Sequence, residues 1–493
     1  MEKKVKYWLL AIFIITLTVR LVLAFTSPNL TYESYFHLRQ VEQITETGLP
    51  QYQDTLSYGG REMIFPPAFH YLAAFFNLFL PLGFVAKLLP NLLIASLTLI
   101  VYLISKKITN NNNAALGSAL ITGFLPVLFS TNSFTPNSLF LPLIFLTVYA
   151  FINIKAKNAL YIYIATFFIA SLTSSATILL LLGFAIYLIL SLSENKKIKQ
   201  AELEVMIFSV FFFIWIQFLF YKNIFLKQGL GFIWQNIPTQ IVQQYFPQVS
   251  IPQAILLVSV VPFLIGVVVA YRALFKLKTE KSFLLISFVI STTALAWFKL
   301  IEFHLSLSFF AIILAILFAS FYHDITNYMK KTKAPKLIKY LQAALIILIL
   351  ATTIYPAINV SLKQDLPLKE EIDAFRWLQY NSPQNAGVVS LLKEGHLITH
   401  YSKRKNLMDD HFNLIEKVEE RFTDLNSLFT TKFKTQALQI LDKYQIKYLI
   451  ISPSAKDQFK IEELSYATED CFELVYDEET KIYQVKCQLS ATS

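Results

Sequence analysis

The chain has 493 residues, of which 55% are hydrophobic and 15% charged, and its mean hydropathy is +0.50. Soluble globular proteins carry nearer about 25% charged residues, so the composition excludes an ordinary soluble enzyme. The net charge of +10 does not indicate a nucleic-acid partner, because most lysines fall in short segments between long apolar runs, where they orient a membrane protein in the bilayer.

The apolar runs have the length of membrane-spanning helices, since about 20 apolar residues cross the hydrocarbon layer and lipid leaves the α-helix as the option for such runs. The first run, Tyr7–Phe25, follows three lysines and lacks a small-residue cleavage site, which predicts an anchor and not a removed signal peptide. About eleven spans are predicted, at 7–25, 84–104, 114–130, 138–154, 159–171, 174–192, 205–221, 251–271, 282–298, 304–322 and 340–358.

The basic residues of the connections predict the orientation of these spans. With a cytoplasmic N-terminus, every inner connection is rich in lysine or arginine, whereas the outer ones carry few basic residues: Arg39, Arg61, Lys222, Lys227 and Lys299. We therefore predict a multi-pass protein of the cell membrane with an extracytoplasmic C-terminal segment.

Two long outer loops are predicted, at 26–83 and 222–250. The first contains the helix-like run Gln40–Gly48. It also contains an apolar stretch at 65–84 that is interrupted by prolines and a glycine, which favours a re-entrant or interfacial segment over a span.

The sequence predicts two domains, with the multi-span part at 1–358 and a soluble extracytoplasmic part at 359–493, where the charge density rises. Helix-like and strand-like stretches alternate in the second part, which indicates a mixed α/β domain. They are helices at Ala374–Tyr380 and Lys434–Tyr444, strands at Gly387–Leu392 and Ile446–Ile451, and a hairpin over Glu473–Gln484. Cys471 and Cys487 bracket this hairpin, and either a cross-strand disulfide or two buried thiols fits the pattern.

Glu33 lies just past the outer end of the first span, where a carboxylate can bind a divalent cation or act as a general base. His37 follows four residues later and would share a helix face with it. The alternative is that Glu33 caps or begins a solvated interfacial helix and that His37 is a surface residue. Arg20, inside the first span, is either a functional charge or a snorkelling side chain.

Residues Glu33–His37 resemble the Asp-x-Tyr-Tyr-His stretch in the first external loop of archaeal oligosaccharyltransferase catalytic subunits, which belong to the C-type glycosyltransferase superfamily. The resemblance continues in four further stretches, GLPQYQDTLSYGGR, FPPAFHYL, EGHLITHYSKRKNLMDD and FELVYDEETKIYQV. It implies a polytopic α-helical C-type glycosyltransferase fold of about 11–13 transmembrane helices with an extracytoplasmic α/β domain. It also implies a polyprenyl- or dolichyl-linked sugar donor and a protein or glycan acceptor.

The resemblance assigns roles to single residues, and the chain departs from the family at several of them. Glu33 stands at the position of the family's first catalytic Asp, with His37 beside it. Asn137 and Gln244 stand where the family has acidic residues. The resemblance therefore implies a Mn²⁺ or Mg²⁺ site at Glu33 and Asn137, with one charged ligand fewer than in the family, and Gln244 as a residue that lines the acceptor site.

The family's WWDYG motif becomes Leu391-Leu392-Lys393-Glu394-Gly395, in which only the glycine survives. Glu394, Gly395 and Arg404 are the family-aligned positions of the acceptor-binding segment. Lys299 and His304, with Glu302 between them, lie at an outer turn where family members carry an arginine, and Arg61 is a third candidate for binding the lipid phosphate.

The predicted function is transfer of a sugar or oligosaccharide from a polyprenyl-(pyro)phosphate carrier to an acceptor at the outer membrane face. The uncharged replacements keep open the alternative of a catalytically inactive paralogue that binds lipid-linked glycan. A transporter or flippase is a third possibility, but it should show charged residues buried mid-span and inverted repeats.

Overall fold

The computed structural model describes residues 3–229, 250–331, 337–412 and 414–488. Gln244 and most of the predicted outer loop 222–250 lie outside these ranges. The helices of the first part of the chain are α1 Lys3–Phe25, α2 Ser34–Thr47, α3 Ala68–Asn77, α4 Leu82–Thr109, α5 Asn112–Gly123, α6 Asn137–Ile152, α7 Ala159–Ser171, α8 Ile178–Ser193, α9 Gln200–Gln228, α10 Ile251–Val258, α11 Val260–Arg272, α12 Glu280–Trp297, α13 Phe303–Lys330 and α14 Leu337–Leu362.

Each predicted span coincides with a helix or a helix pair, but not all of these helices are long enough to cross a membrane. Within the described residues, seven helices are long and apolar enough, and the pair α10–α11, which bends by 95°, makes an eighth if it is one span. The helices α5, α6 and α7 have 12, 16 and 13 residues. Helix α5 ends at Gly123, just before Pro126, since proline removes a helical hydrogen bond.

Helix α13 is the central helix of this bundle, since 83% of its most apolar 18-residue stretch is buried. Helices α1 and α14 lie at the periphery, where the same measure is 22% and 17%. The basic connections meet at one end of the bundle. There Lys281 Nζ donates to the Lys107 carbonyl oxygen at 2.7 Å, and Lys199 pairs with Glu280 at 2.6 Å. The N-terminus of α13 lies at the opposite end, because α12 runs between the two.

The part of the chain after 368 contains α15 Lys369–Asn381, α16 Val418–Thr430, α17 Lys434–Lys443 and α18 Pro453–Phe459, together with β3 Gly387–Val389, β4 Lys405–Asn406, β5 Ile446–Ile451, β6 Phe472–Asp477 and β7 Lys481–Val485. The strands form one mixed sheet in the order β4-β3-β5-β7-β6. Strands β4, β3 and β5 are parallel, and β7 and β6 follow antiparallel. A disulfide joins Cys471 to Cys487 at the ends of the β6–β7 hairpin, with the two Cα atoms 4.8 Å apart.

The first outer loop packs between the helical bundle and the α/β part. It contains α2, α3 and a two-stranded ribbon of β1 Gln53–Asp54 and β2 Arg61–Glu62. Between these strands, Tyr58 is buried in the apolar core of the α/β part, and its backbone N–H donates to the Asn406 side chain at 2.6 Å. Helix α3 has only 10 residues, which is too short to span the membrane.

Candidate functional site

A cleft of about 220 Å³ lies where the first outer loop meets the N-termini of α6 and α13. Three residues that the sequence singles out, Glu33, Asn137 and His304, line this cleft together. They come from three distant segments of the chain. Glu302 and the buried Arg20 line the same cleft.

Backbone contacts between two loops hold Glu33 in the cleft. Thr31 N–H donates to the Asn132 carbonyl oxygen at 3.1 Å, and Phe134 N–H donates to the Ser34 hydroxyl at 2.9 Å. These bonds fix the start of α2 against the loop that leads into α6, at whose N-terminus Asn137 lies. Glu33 is the residue directly before α2, as the alternative also expected, but its side chain makes no capping hydrogen bond to that helix.

Glu302 is a second carboxylate of the cleft, and sequence reasoning gave it no role. Asn137 Nδ2 donates to Glu302 Oε2 at 3.1 Å. The site therefore has a carboxylate in contact with the uncharged Asn137, but it comes from Glu302, just before α13, and not from the loop that leads into α6. The sequence signal for Glu302 was its place between Lys299 and His304. Only those two basic residues of the turn were considered as ligand-binding candidates.

The electrostatics of the cleft favour protonation of both carboxylates relative to a carboxylate in water. Desolvation by the surrounding protein raises the pKa of Glu33, and Asp410 raises it further, although His411 and His396 oppose the shift. Desolvation and the charge of Glu33 raise the pKa of Glu302. The Glu33 side chain nevertheless remains 52% exposed, so it keeps access to solvent and to a ligand.

Arg20 does not snorkel to the membrane surface. Its side chain is 2% exposed, its Nε donates to Asn91 Oδ1 at 3.1 Å, and its Nη1 donates to the Leu128 carbonyl oxygen at 2.7 Å. The guanidinium also lies 5.0 Å from the centre of the Phe129 ring. Arg20 is thus a fixed positive charge at the wall of the cleft.

His37 is buried and not a surface residue. Its Nδ1 lies 2.8 Å from His70 Nε2, and its Nε2 lies 3.7 Å from Glu33 Oε1. Burial, followed by the nearby His411 and His396, lowers the pKa of His37 well below its ordinary value. His37 is therefore neutral at physiological pH and is an uncharged neighbour of Glu33, just beyond hydrogen-bond distance.

The other candidate residues lie away from the cleft and have partners within the protein. Arg61 pairs with the buried Asp409 at 3.2 Å. Glu394 is fully buried, contacts the Ser390 hydroxyl and accepts from the Ser452 hydroxyl at 2.6 Å.

Gly395 lies against a neighbouring loop, where an added Cβ would collide with the Met408 carbonyl oxygen. Arg404 is 4% exposed and donates to the carbonyl oxygens of Gln379 and Ser382, which end α15. Lys299 is exposed at the turn before α13 and does not line the cleft.

Comparisons with known proteins agree with this architecture. Residues 65–219 match a family model described as dolichyl-phosphate-mannose-protein mannosyltransferase. The oligosaccharyltransferase of Archaeoglobus fulgidus, solved with a tethered acceptor peptide that contains the NVT sequon, superposes with a TM-score of 0.67 at 16% identity, over 91% of this chain and 69% of that one. The chain shares the fold of this Archaeoglobus fulgidus protein. The fold class that Glu33–His37 and the other stretches predicted is thereby confirmed.

Two further solved structures extend the comparison. The Archaeoglobus fulgidus enzyme in complex with Zn and sulfate has a TM-score of 0.62 at 15% identity, over 89% of this chain and 67% of that one. ArnT from Cupriavidus metallidurans bound to undecaprenyl phosphate has a TM-score of 0.53 at 11% identity, over 95% and 97% of the two chains. No curated protein matches the sequence significantly.

Proposed function

We propose that this protein is a membrane glycosyltransferase that transfers a sugar or oligosaccharide from a polyprenyl-(pyro)phosphate carrier to an acceptor at the outer membrane face. The observation that carries the proposal is the cleft, in which Glu33 and Glu302 face a common space beside Asn137 and His304. The shared fold supports it, because the fold's solved members include an oligosaccharyltransferase with an acceptor peptide.

The donor site is the part of the cleft near the start of α13. His304 is the second residue of this helix, and the helix N-terminus adds unpaired N–H groups and a partial positive charge that suit a phosphate. The Archaeoglobus enzyme has been solved with a dolichol-phosphate and ArnT with undecaprenyl phosphate. Both ligands have the polyprenyl-phosphate chemistry that we assign to this donor.

Glu33 acts as the general base in this mechanism. It removes the proton from the acceptor nucleophile as that atom forms a bond to the anomeric carbon of the sugar, while the bond from that carbon to the carrier phosphate breaks. The raised pKa of Glu33 brings it closer to neutral pH, where a base of this kind is most effective. The neutral His37 is a close neighbour of this carboxylate, with Nε2 3.7 Å from Glu33 Oε1.

The donor set of the cleft fits a divalent cation such as Mg²⁺ or Mn²⁺, because carboxylate and amide oxygens are the ligands these ions prefer. Glu302 and the side-chain oxygen of Asn137 would hold it, and Glu33 would be a further ligand in the alternative in which it is not the base. When bound, the ion would neutralise charge that develops on the leaving phosphate. Glu302 supplies the carboxylate that is missing at Asn137, which favours an active enzyme over an inactive paralogue.

The proposed orientation places this cleft outside and the N-terminus in the cytoplasm. The lysine-rich connections that meet around Lys107, Lys199 and Lys281 lie at the other end of the bundle and suit the cytoplasmic face. The part of the chain from 359 to 493 then forms the proposed extracytoplasmic domain, which packs on the first outer loop and borders the acceptor side. We propose a protein or glycan acceptor.

The test is sugar transfer by the purified protein in lipid, supplied with the host's polyprenyl-linked sugars and with or without Mn²⁺. We expect Glu33→Gln to lower the rate by about 100-fold or more, as for loss of a general base. Glu46→Gln is the matched control, because Glu46 is an exposed carboxylate at the other end of the same helix. Donor binding without turnover in the wild type would identify an inactive paralogue.

A second variant tests the cation. Asn137→Asp adds a negative charge next to Glu302, and we expect it to lower the Mn²⁺ concentration needed for half-maximal activity. Glu302→Gln should raise that concentration. Transfer that is indifferent to Mn²⁺, to a chelator and to both substitutions would remove the cation from the mechanism while leaving the role of Glu33 intact.

A further inference from the structure

A second cluster of side chains, made by His396, Asp410 and His411, lies at the contact between the first outer loop and the α/β part. Asp410 Oδ1 lies 2.5 Å from His396 Nε2 and 3.1 Å from His411 Nδ1, and the two nitrogens are 3.2 Å apart. With Asp409, these residues offer four ligand atoms within 4.8 Å of one another. None of the cluster lines the cleft of Glu33.

These distances suit a metal ion. In a tetrahedral Zn²⁺ site with bonds of about 2.0–2.1 Å, neighbouring ligand atoms lie roughly 3.3 Å apart. Two of the three observed separations are close to that spacing, and the third requires a small outward movement of Asp410. The side chains of Asp410 and His411 are 21% and 24% exposed, so an ion can enter from solvent and a fourth ligand can be water.

The surroundings hold the ligands as the second shell of a metal site does. Asp409 is fully buried and lies 3.9 Å from His396 Nδ1, the nitrogen that faces away from Asp410. At this separation Asp409 faces the His396 ring as a negative charge and not as a hydrogen-bond acceptor. Asp409 is itself held by Arg61 and by the Ser57 hydroxyl at 2.5 Å. The Phe36 ring stacks on the His411 ring, with centroids 3.9 Å apart.

An unsatisfied nitrogen lies close to this cluster. His37 Nε2 is buried and has no hydrogen-bond partner among the described residues. The centroid of the His37 ring lies 6.4 Å from that of His411. Its nearest carboxylate oxygen, Glu33 Oε1, lies 3.7 Å away, beyond hydrogen-bond distance, so a water on a bound ion would give the buried nitrogen a partner that the described residues do not supply.

We propose that His396, Asp410 and His411 bind a divalent transition-metal ion of the Zn²⁺ class. Two imidazoles and one carboxylate favour such an ion over Mg²⁺ or Ca²⁺, which prefer oxygen ligands throughout. The ion would join His396 to the turn at Asp410 and His411, and the ring of Phe36 near the start of α2 packs on that turn. This site does not depend on the proposed transferase activity, and it is separate from the oxygen-rich cation site in the cleft.

The experiment measures Zn²⁺ binding by the full-length protein in lipid nanodiscs after removal of metal with a chelator. We expect one equivalent to bind, and His411→Ala and Asp410→Asn to weaken binding by at least 10–100-fold. His323→Ala is the control for a histidine far from the cluster, next to Asn111 at the opposite end of the bundle. Glu33→Gln is the control for the cleft.

Both controls should bind Zn²⁺ like the wild type. Loss of binding in Glu33→Gln with full binding in His411→Ala would overturn the proposal and assign the ion to the cleft. Absence of Zn²⁺ binding by the wild type would overturn it as well and leave an ionic cluster of two histidines and Asp410.

Loss of Zn²⁺ binding could also result from poor folding of a variant, so a third variant is designed to gain a spectroscopic signal. His411→Cys, loaded with Co²⁺, should show a sulfur-to-cobalt absorption band that the wild type lacks, because a thiolate would replace the imidazole as ligand. A correctly folded His411→Cys protein without that band would exclude position 411 from the coordination sphere.

Discussion

Replacing Arg61 by leucine separates a structural role for this residue from the phosphate-binding role that the sequence suggests. Arg61 Nη2 pairs with Asp409 Oδ1 at 3.2 Å, and the two side chains are only 3% and 0% exposed. Its guanidinium also donates to the His411 carbonyl oxygen and lies 4.8 Å from the centre of the Tyr58 ring. We therefore expect Arg61→Leu to destabilise the contact between the first outer loop and the α/β part.

The magnitude follows from the burial of the pair. Removing one partner of a buried ion pair costs about 3–5 kcal/mol, because an uncompensated charge stays behind. The pKa of Asp409 gives a second measure. Burial alone would raise it, but Arg61, then His396 and His411, outweigh burial and lower the pKa from 3.8 to about 2. That shift corresponds to roughly 2 kcal/mol of stability, to which Arg61 contributes most and His396, His411 and the Ser57 hydroxyl contribute the rest.

The sign of the pH dependence follows from the lowered pKa. The contribution of Asp409 is fully present above its unfolded value of 3.8 and is lost as the pH falls through about 2. The defect of Arg61→Leu should therefore be constant near neutral pH. It should shrink between pH 4 and pH 2, where the carboxylate becomes protonated in both proteins.

Hydrogen exchange of the segments 53–62 and 405–411, measured in nanodiscs, tests this prediction. A loss of about 3 kcal/mol corresponds to exchange that is on the order of 100-fold faster. The control is Arg376→Leu, since Arg376 forms an exposed pair with Asp373 and such pairs contribute about 0–1 kcal/mol. Unchanged exchange in Arg61→Leu, with a raised KM for the lipid donor, would refute the structural role and restore the phosphate-binding one.

Three further predictions concern the cleft and the α/β part. Glu302→Gln removes a negative charge that faces Glu33 and should therefore lower the pKa of Glu33. The acid limb of the pH profile of kcat/KM should then move to lower pH. A limb that stays in place or moves to higher pH would contradict this interaction between the two carboxylates. Gly395→Ala should lower the free energy of unfolding by about 1–3 kcal/mol, because the added Cβ meets the backbone carbonyl of Met408. An unchanged midpoint of thermal unfolding would show that the neighbouring loop moves to make room. The Cys471→Ser/Cys487→Ser variant opens a loop whose ends are 16 residues apart, and its free energy of unfolding should fall by about 3 kcal/mol. Equal stability of the oxidised, reduced and substituted proteins would show that the disulfide does not constrain the unfolded chain.

Part of the candidate site could be predicted from the sequence because its residues lie in recognisable local stretches. Glu33, Asn137 and His304 were singled out from motif resemblance and from their place at outer ends of spans, and the structure brings all three to one cleft. Glu302 was not given a role, because its meaning depends on the contact with Asn137, 165 residues away. A carboxylate at a turn carries no local sign of the partner it will meet.

The fate of the basic candidates shows the same limit. The sequence marks Arg61 and Arg404 as charged residues of outer segments, and this is equally compatible with binding a ligand or a neighbouring element. In the structure, Arg61 forms an ion pair with Asp409, and Arg404 donates hydrogen bonds to backbone carbonyls at the end of α15. Which of these applies depends on how distant segments pack, since a long cationic side chain pairs with whatever acceptors the fold places within its reach.

The sequence by itself determined the membrane class, the order of the helices and the alternation of helices and strands after 359, down to the bounds of Ile446–Ile451. These properties follow from hydropathy and periodicity, which are local and additive along the chain. Only the tertiary structure decided that Glu302 faces Glu33, that Arg20 is buried and that His396 meets His411. Such pairings depend on packing between segments that the chain order does not relate, and so no local pattern records them.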